Sequence, residues 1–179
     1  MSYDTAKPQA DVMHTCDAQR AQHVLQKMLV GTVLTDMHYA AGFSLEYSRE
    51  GKTPGPLIPM VVRLTLRSDW WMGTQASWQS LLASNPCTAL TGDAEEPMRA
   101  FALMCLYGTQ ITQVLLDNDG TLHLTTAHGA ELHLAGQEDV FEESWIVDVP
   151  RDVPHSELWS VICTGQGKIF CRCPVADRR

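Results

Sequence analysis

Long apolar runs are missing from this sequence of 179 residues. No stretch approaches the ~20 residues that a bilayer-spanning helix needs, so a membrane-embedded chain is not expected. The opening residues lack the basic and apolar regions of a secretory signal, which sets a cytoplasmic location as the expectation. The six cysteines, at 16, 87, 105, 163, 171 and 173, are then expected as reduced thiols rather than as a disulfide framework. Catalytic signatures are scarce as well. There is no G-x-S-x-G elbow and no glycine-rich dinucleotide fingerprint. Gly165-Gln166-Gly167-Lys168 lacks the spacing of a phosphate loop, and Ile169 stands where Ser or Thr should follow the lysine. No cofactor is expected, and the chain is read as a non-enzyme. Disorder is excluded by composition: 45% hydrophobic and 19% charged residues are ordinary for a globular domain.

Basic residues are sparse in one region. Residues 1–92 are electrically neutral overall, residues 93–157 carry a net charge of −11, and residues 158–179 carry +3. A single-signed acidic field repels nucleic acid and anionic membrane and steers basic partners inward.

The chain contains an internal similarity. Leu29-Val30-Gly31-Thr32-Val33-Leu34-Thr35 aligns with Leu106-Tyr107-Gly108-Thr109-Gln110-Ile111-Thr112, 77 residues later, with four identities. Val24, Met28 and Leu29 fall on Phe101, Cys105 and Leu106. Downstream, Gly42 falls near Gly120, the stretch Val62 to Leu66 resembles Glu131 to Leu134, and Trp70 or Trp71 answers to Trp145.

Each copy opens with a helix. Asp17 caps the first, with Ala21, Val24, Leu25 and Met28 on one face. Asp93 caps the second, which tolerates Pro97 in its first turn and carries Phe101, Leu103, Met104 and Leu106. Gly31 and Gly108 are helix stops. In the second copy, Gln110 to Leu116 and Thr121 to Thr126 flank a hairpin turn at Asn118-Asp119-Gly120. That register sets Val114 and Leu116 opposite Leu124 and Leu122, and a turn at Ala127-His128-Gly129 adds Leu132 and Leu134 to the same face. Between the copies, Thr74 caps a short helix over Gln75 to Ala83 with Trp78, Leu81 and Leu82 inward, ended by Asn85-Pro86. A hairpin of Leu158 to Cys163 and Lys168 to Cys173 closes the chain. Roughly the first fifteen and last five residues are set aside as loose ends. The fold expected is α+β: two αβββ-like units with antiparallel sheets plus a C-terminal β-hairpin. The first unit with its connecting helix covers 16–92, and the second with the hairpin covers 93–179, in one compact domain.

Several residue groups invite chemistry. His123 and His133 become cross-strand neighbours with Cβ atoms roughly 5 Å apart. Zinc normally takes three or more protein ligands, and neither Glu131 nor His128 has a diagnostic spacing, so no metal site is assigned. Cys171-Arg172-Cys173, with Cys163 across the hairpin and His155 upstream, reads first as structural thiols, with metal and redox chemistry as the alternatives. The acids are better read as a contact surface: the turn with Asp117 and Asp119, and the loop with Glu138, Asp139, Glu142 and Glu143. Of the adjacent Trp70 and Trp71, strand alternation sends one outward, and Trp71 is taken as an interface anchor.

The Leu106 to Thr112 strand start, the Asp119 to Leu124 hairpin and the Glu142-Glu143-Ser144-Trp145 stretch, in a short, acidic, tryptophan-rich chain, resemble the duplicated immunity proteins that accompany bacterial polymorphic or contact-dependent toxins delivered as secretion-system effectors. The resemblance spans about residues 16–147. It implies a stoichiometric complex with a cognate toxin or effector protein, basic where that toxin acts on nucleic acid, captured in the cytoplasm through an acidic face. The alternatives are an intracellular metal-dependent enzyme using the His123/His133 face, and a structural assembly module joined through sheet edges.

Overall fold

A two-residue strand ahead of the first helix pairs with the last hairpin. The structure is a computed structural model that describes residues 13–39, 42–51, 55, 57–84, 95–153 and 156–174. Strand β1 (His14–Thr15) pairs with the last strand, and helix α1 (Ala18–Leu29) follows at once. The Asp17 carboxylate accepts the Arg20 N–H at 2.7 Å, a side-chain N-cap, and Ala21, Val24, Leu25 and Met28 are buried as the periodicity predicts. Strands β2 (Thr32–Tyr39), β3 (Phe43–Arg49), β4 (Val61–Leu66) and β5 (Trp70–Met72) come next, then α2 (Gln75–Ala83), capped by Thr74. Helix α3 (Glu95–Met104) leads into β6 (Ile111–Leu116), β7 (Leu122–Thr126), β8 (Glu131–Leu134) and β9 (Glu143–Asp148). A 3-10 turn (Ser156–Leu158) precedes the hairpin of β10 (Ser160–Thr164) and β11 (Ile169–Arg172). The architecture is mixed α+β, with two antiparallel sheets and, among the described residues, three α-helices.

The larger sheet runs β1-β11-β10-β9-β4-β3-β2 and the smaller β5-β8-β7-β6. Two strands cross between them. β5 follows β4 in the chain but pairs with β8, setting Trp70 opposite Leu134. β9 follows β8 but pairs with β4, setting Trp145 opposite Leu66. The backbone at the two crossings matches: Arg67 N–H donates to Ser144 O at 3.0 Å, and Ala135 N–H donates to Asp69 O at 2.8 Å.

The two similar heptads lie side by side. Gly31 N–H donates to Ile111 O at 2.8 Å and Gly108 N–H to Leu34 O at 3.0 Å, with a bridge between Val33 and Gln110. Both glycines have positive φ, 84° and 73°, which explains their place after a helix. Thr32 donates its hydroxyl to Leu29 O at 2.6 Å, and Thr109 donates to Leu106 O at 2.5 Å. A bulge follows Leu34 in one heptad and Ile111 in the other. At each bulge a threonine hydroxyl reaches the next strand, Thr35 to Glu46 O at 3.2 Å and Thr112 to Thr125 O at 3.1 Å.

One continuous core collects the inward faces of both sheets and the apolar faces of the helices. Within the smaller sheet the predicted register holds: Val114 opposes Leu124, Leu116 opposes Leu122, and Leu132 and Leu134 share their buried face. The free edge β6 is covered by α1. Gln22 Oε1 accepts the Leu116 N–H at 2.9 Å and Gln26 Nε2 donates to Val114 O at 3.3 Å, satisfying edge groups that would otherwise invite pairing. Arg49 closes the far end of α1, donating to Lys27 O and Val30 O at 2.6 Å, Met28 O at 2.9 Å and Pro59 O at 3.1 Å.

Two expectations are corrected. His14 and Thr15 are not loose ends, because they pair with Cys171 and Phe170. Leu81 does not point inward with Trp78 and Leu82. On α3, Phe101 and Met104 are exposed while Leu103 and Leu106 are buried. The reason is that α2 and α3 do not interlock: an open apolar groove of about 280 Å³, lined by Leu81, Met98 and Phe101, lies between them. The expected cap Asp93, the stop at Asn85-Pro86, Cys87 and His155 lie outside the described residues.

Candidate functional site: an acidic end built on glycines

Three turns meet at one end of the two sheets: the β6–β7 turn (117–121), the β8–β9 loop (135–142) and the β10–β11 turn (164–168). They touch backbone to backbone. A Cβ on Gly120 would sit 2.6 Å from Cys163 Sγ and 3.4 Å from the Gly167 Cα, and one on Gly167 would sit 2.7 Å from Asp119 O. A Cβ on Gly136 would strike the Asp119 and Gly120 backbone, and one on Gly165 the carbonyls of Glu138 and Phe141. Only glycine permits this approach. Hydrogen bonds then fasten the turns: Glu138 N–H to Gly165 O at 3.0 Å, Gly165 N–H to Glu142 O at 2.8 Å, and Trp145 Nε1–H to Gly120 O at 2.9 Å. Ser144 adds its hydroxyl to Gly136 O at 2.9 Å. Cys163 lies beneath, buried, its thiol pushed up to about 12 by burial and then by the Asp119 charge. It is a packing group here, not a reactive one.

This junction gathers acids from separate turns. Asp117 and Asp119 are exposed on the first, and Asp139 and Glu142 are exposed on the second. The Asp119 carboxylate accepts the Thr121 N–H at 2.9 Å, which holds it below the usual carboxylate range. Glu138 is half-buried and caps the Val140 N–H at 2.9 Å, a positioning role within the loop. Glu143 differs from the other predicted contact residues: it is drawn back into an ion pair with Arg67 at 2.6 Å. Among the acids stand two exposed apolar side chains, Val140 at 81% and Phe141 at 42%. Phe141 and Glu142 on one side, and Gln166, Lys168 and Phe170 on the other, flank an open groove of about 510 Å³. The sequence reading named the acids but passed over Val140 and Phe141, whose signal was apolar residues inside an otherwise polar loop.

The solvent face of the smaller sheet continues from this end. His123 and His133 are directly paired, their Nδ1 atoms 2.6 Å apart. His123 Nε2 lies 3.0 Å from Asp117 Oδ2, and His133 Nε2 lies 3.5 Å from Glu131 Oε2. Trp71 stacks on the His133 ring, centroids 5.3 Å apart, while Trp70 is buried. Strand alternation therefore sends Trp71 to the outer face, but half-buried and stacked rather than standing free. Burial, and then the neighbouring His123, lower the His133 pKa. All four ring nitrogens face protein groups, and among the described residues no cluster of three His, Cys, Asp or Glu is set to hold a metal. The pair is suited to sharing one proton and bracing the sheet.

No helix among the described residues is long and apolar enough to cross a membrane. No family model, curated protein or solved structure matches this chain.

Proposed function

We propose that this chain is a binding protein of the immunity type, which captures a cognate toxin or effector in the cytoplasm through its acidic end. The observation that carries the reading is the glycine junction. It brings acids from separate turns to one end and fixes their backbones before any partner arrives, which limits the ordering cost of association. The mixture there, acids around exposed Val140 and Phe141, suits a basic protein partner: charge speeds encounter, and apolar anchors slow release. The imidazole pair supports binding over catalysis, because each ring is already held by a carboxylate or its neighbour.

The scaffold is read as a duplicated αβββ-type unit, each copy lending one further strand to the other's sheet. Four matched features support it: the reciprocal glycine bonds, the threonine caps, the threonine-bearing bulges and the crossings at Trp70 and Trp145.

The test is co-expression with any toxin domain encoded beside this gene. Rescue of growth and a stoichiometric complex on size exclusion are expected. Growth arrest without rescue, together with no complex between the purified proteins, rejects the reading.

A further inference from the structure

Two stretches of this acidic chain are uncharged. Residues 70–92 carry no charged side chain, and neither do residues 100–116. Arg99, which falls between them, is turned to the protein: it donates to Trp70 O at 3.4 Å and faces Asp69 at 3.6 Å. Helix α2 and the part of α3 after Arg99 come from these stretches, and they border the apolar groove of about 280 Å³. Its wall residue Trp78 rests on Trp70, ring centroids 5.3 Å apart, so the groove is built on a packed aromatic pair. Large apolar side chains stand beside it: Phe101 is 60% exposed, Met104 and Tyr107 61%, and Leu81 42%. Beyond Met104 the chain keeps turning, with Leu106 N–H bonded to Leu103 O at 3.0 Å and Tyr107 N–H to Met104 O at 3.1 Å. Residues three apart in such a turn share a side, so Phe101, Met104 and Tyr107 form one row. The Tyr107 hydroxyl anchors its end by donating to Thr35 O. Exposed apolar side chains grouped around a groove mark a contact surface, where single ones would not.

From these observations we infer that the α2–α3 face joins two copies of this chain about a two-fold axis. Charge selects the occupant. Each copy carries a net charge of −8, so two copies repel through their acidic surfaces and meet at least cost where there is no charge. A two-fold contact must also be self-complementary, because one patch meets itself. A patch of a single charge sign fails that condition. This one satisfies it, with a concave groove and the exposed Phe101 side by side. Phe101 of each copy enters the groove of the other, and Met104 and Leu81 flank the contact. A basic partner gains no electrostatic attraction from this face and is drawn instead to the acidic end.

The two surfaces do not overlap. Gly108 leads into the start of β6 and Met72 opposes Leu132 near the start of β8, whereas the acidic turns follow the ends of β6 and β8. A dimer of this kind leaves the acidic end of each copy open. Two short helices give a footprint at the low end of interface sizes, so the dimer is expected to form and part with concentration.

The experiment is sedimentation equilibrium of the full, reduced chain from about 5 to about 500 μM, at low and at high salt. The mass is expected to rise from that of one chain toward that of two. It should rise further with salt, which screens the repulsion between acidic copies. Cys163, Cys171 and Cys173 are buried, whereas Cys105 is exposed and lines the groove, so its alkylation reports whether the groove is covered. Peptide mapping should show Cys105 labelled freely in dilute protein and about fivefold or more slowly in concentrated protein. Phe101→Asp should weaken association about a hundredfold or more, and Leu81→Asp should act in the same direction. Both variants should keep the Tm within a few degrees, since both side chains already face solvent. A single-chain mass at every concentration overturns the proposal, whether the face then takes a different protein or none. Slow labelling of Cys105 even in dilute protein overturns it too, because the chain then covers its own groove. So does a dimer that salt dissolves, or one that both variants leave intact, since its contact lies elsewhere.

Discussion

His123 and His133 face each other through like nitrogens, Nδ1 to Nδ1, at 2.6 Å. At that distance one nitrogen must carry the hydrogen and the other must accept it. The pair therefore tolerates a single proton between the rings and resists a second.

This has a consequence for pH dependence. His133 has a folded-state pKa below its ordinary value of 6.5, chiefly through burial. The unfolded chain consequently binds a proton before the folded one does. Stability from this group is whole above pH 6.5 and falls as pH drops through the folded pKa. Urea unfolding midpoints measured from pH 8 downward should decline in that window. His133→Gln should flatten that part of the curve, and an unchanged slope in the variant would show that other groups carry it.

Glycines at the acidic end and at the helix stop should respond differently to the same substitution. Gly108 has positive φ but open space around it, so Gly108→Ala should cost about 1 kcal/mol. Gly136 sits where a Cβ meets two backbone segments, so Gly136→Ala should cost about 3 kcal/mol and disturb the neighbouring turns. Equilibrium denaturation gives both numbers, and amide exchange at Asp119 and Gly165 would report the local loosening.

Arg49 concentrates carbonyl caps in one side chain. Arg49→Met removes donors from four acceptors at the end of α1 and in the β3–β4 connection, with an expected loss of about 2–4 kcal/mol. Arg49→Lys should recover only part of it, because an ammonium cannot span the same fork of carbonyls. Thermal unfolding of the two variants side by side is the check.

If the acidic end meets a basic partner, reversing Glu142 and Asp139 to lysine should slow association about tenfold or more at low salt and by less at high salt. Glu143→Gln should change the rate less, since that carboxylate is occupied by Arg67. Stopped-flow or surface-based kinetics across ionic strength would separate the two variants, and equal effects would argue against the proposed footprint.

Local chemistry was legible where it was decided locally. Asp17 and Thr74 mark helix starts because their side-chain oxygens are the caps, and the Asn118-Asp119-Gly120 turn sets the register of β6 and β7. From that register the His123–His133 contact follows directly. What escaped depends on how elements meet. Trp70 and Trp145 looked like the ends of their own units, and nothing along the chain says that each strand joins the other sheet. Phe101 and Leu81 carry the apolar character of core residues, and only the splay of α2 from α3 leaves them in a groove. His14 could not be set opposite Cys171 in advance, because the pairing of β1 with β11 links opposite ends of the sequence.

The crossing of β5 and β9 also bears on how this chain can be divided. A cut in the connection between α2 and α3 would leave an amino-terminal fragment with β5 lacking its neighbour β8, and a carboxy-terminal fragment with β9 lacking β4. Each piece would hold the missing strand of the other, so the two should find one another in solution and restore the whole, which makes the molecule a natural reporter for split-fragment complementation.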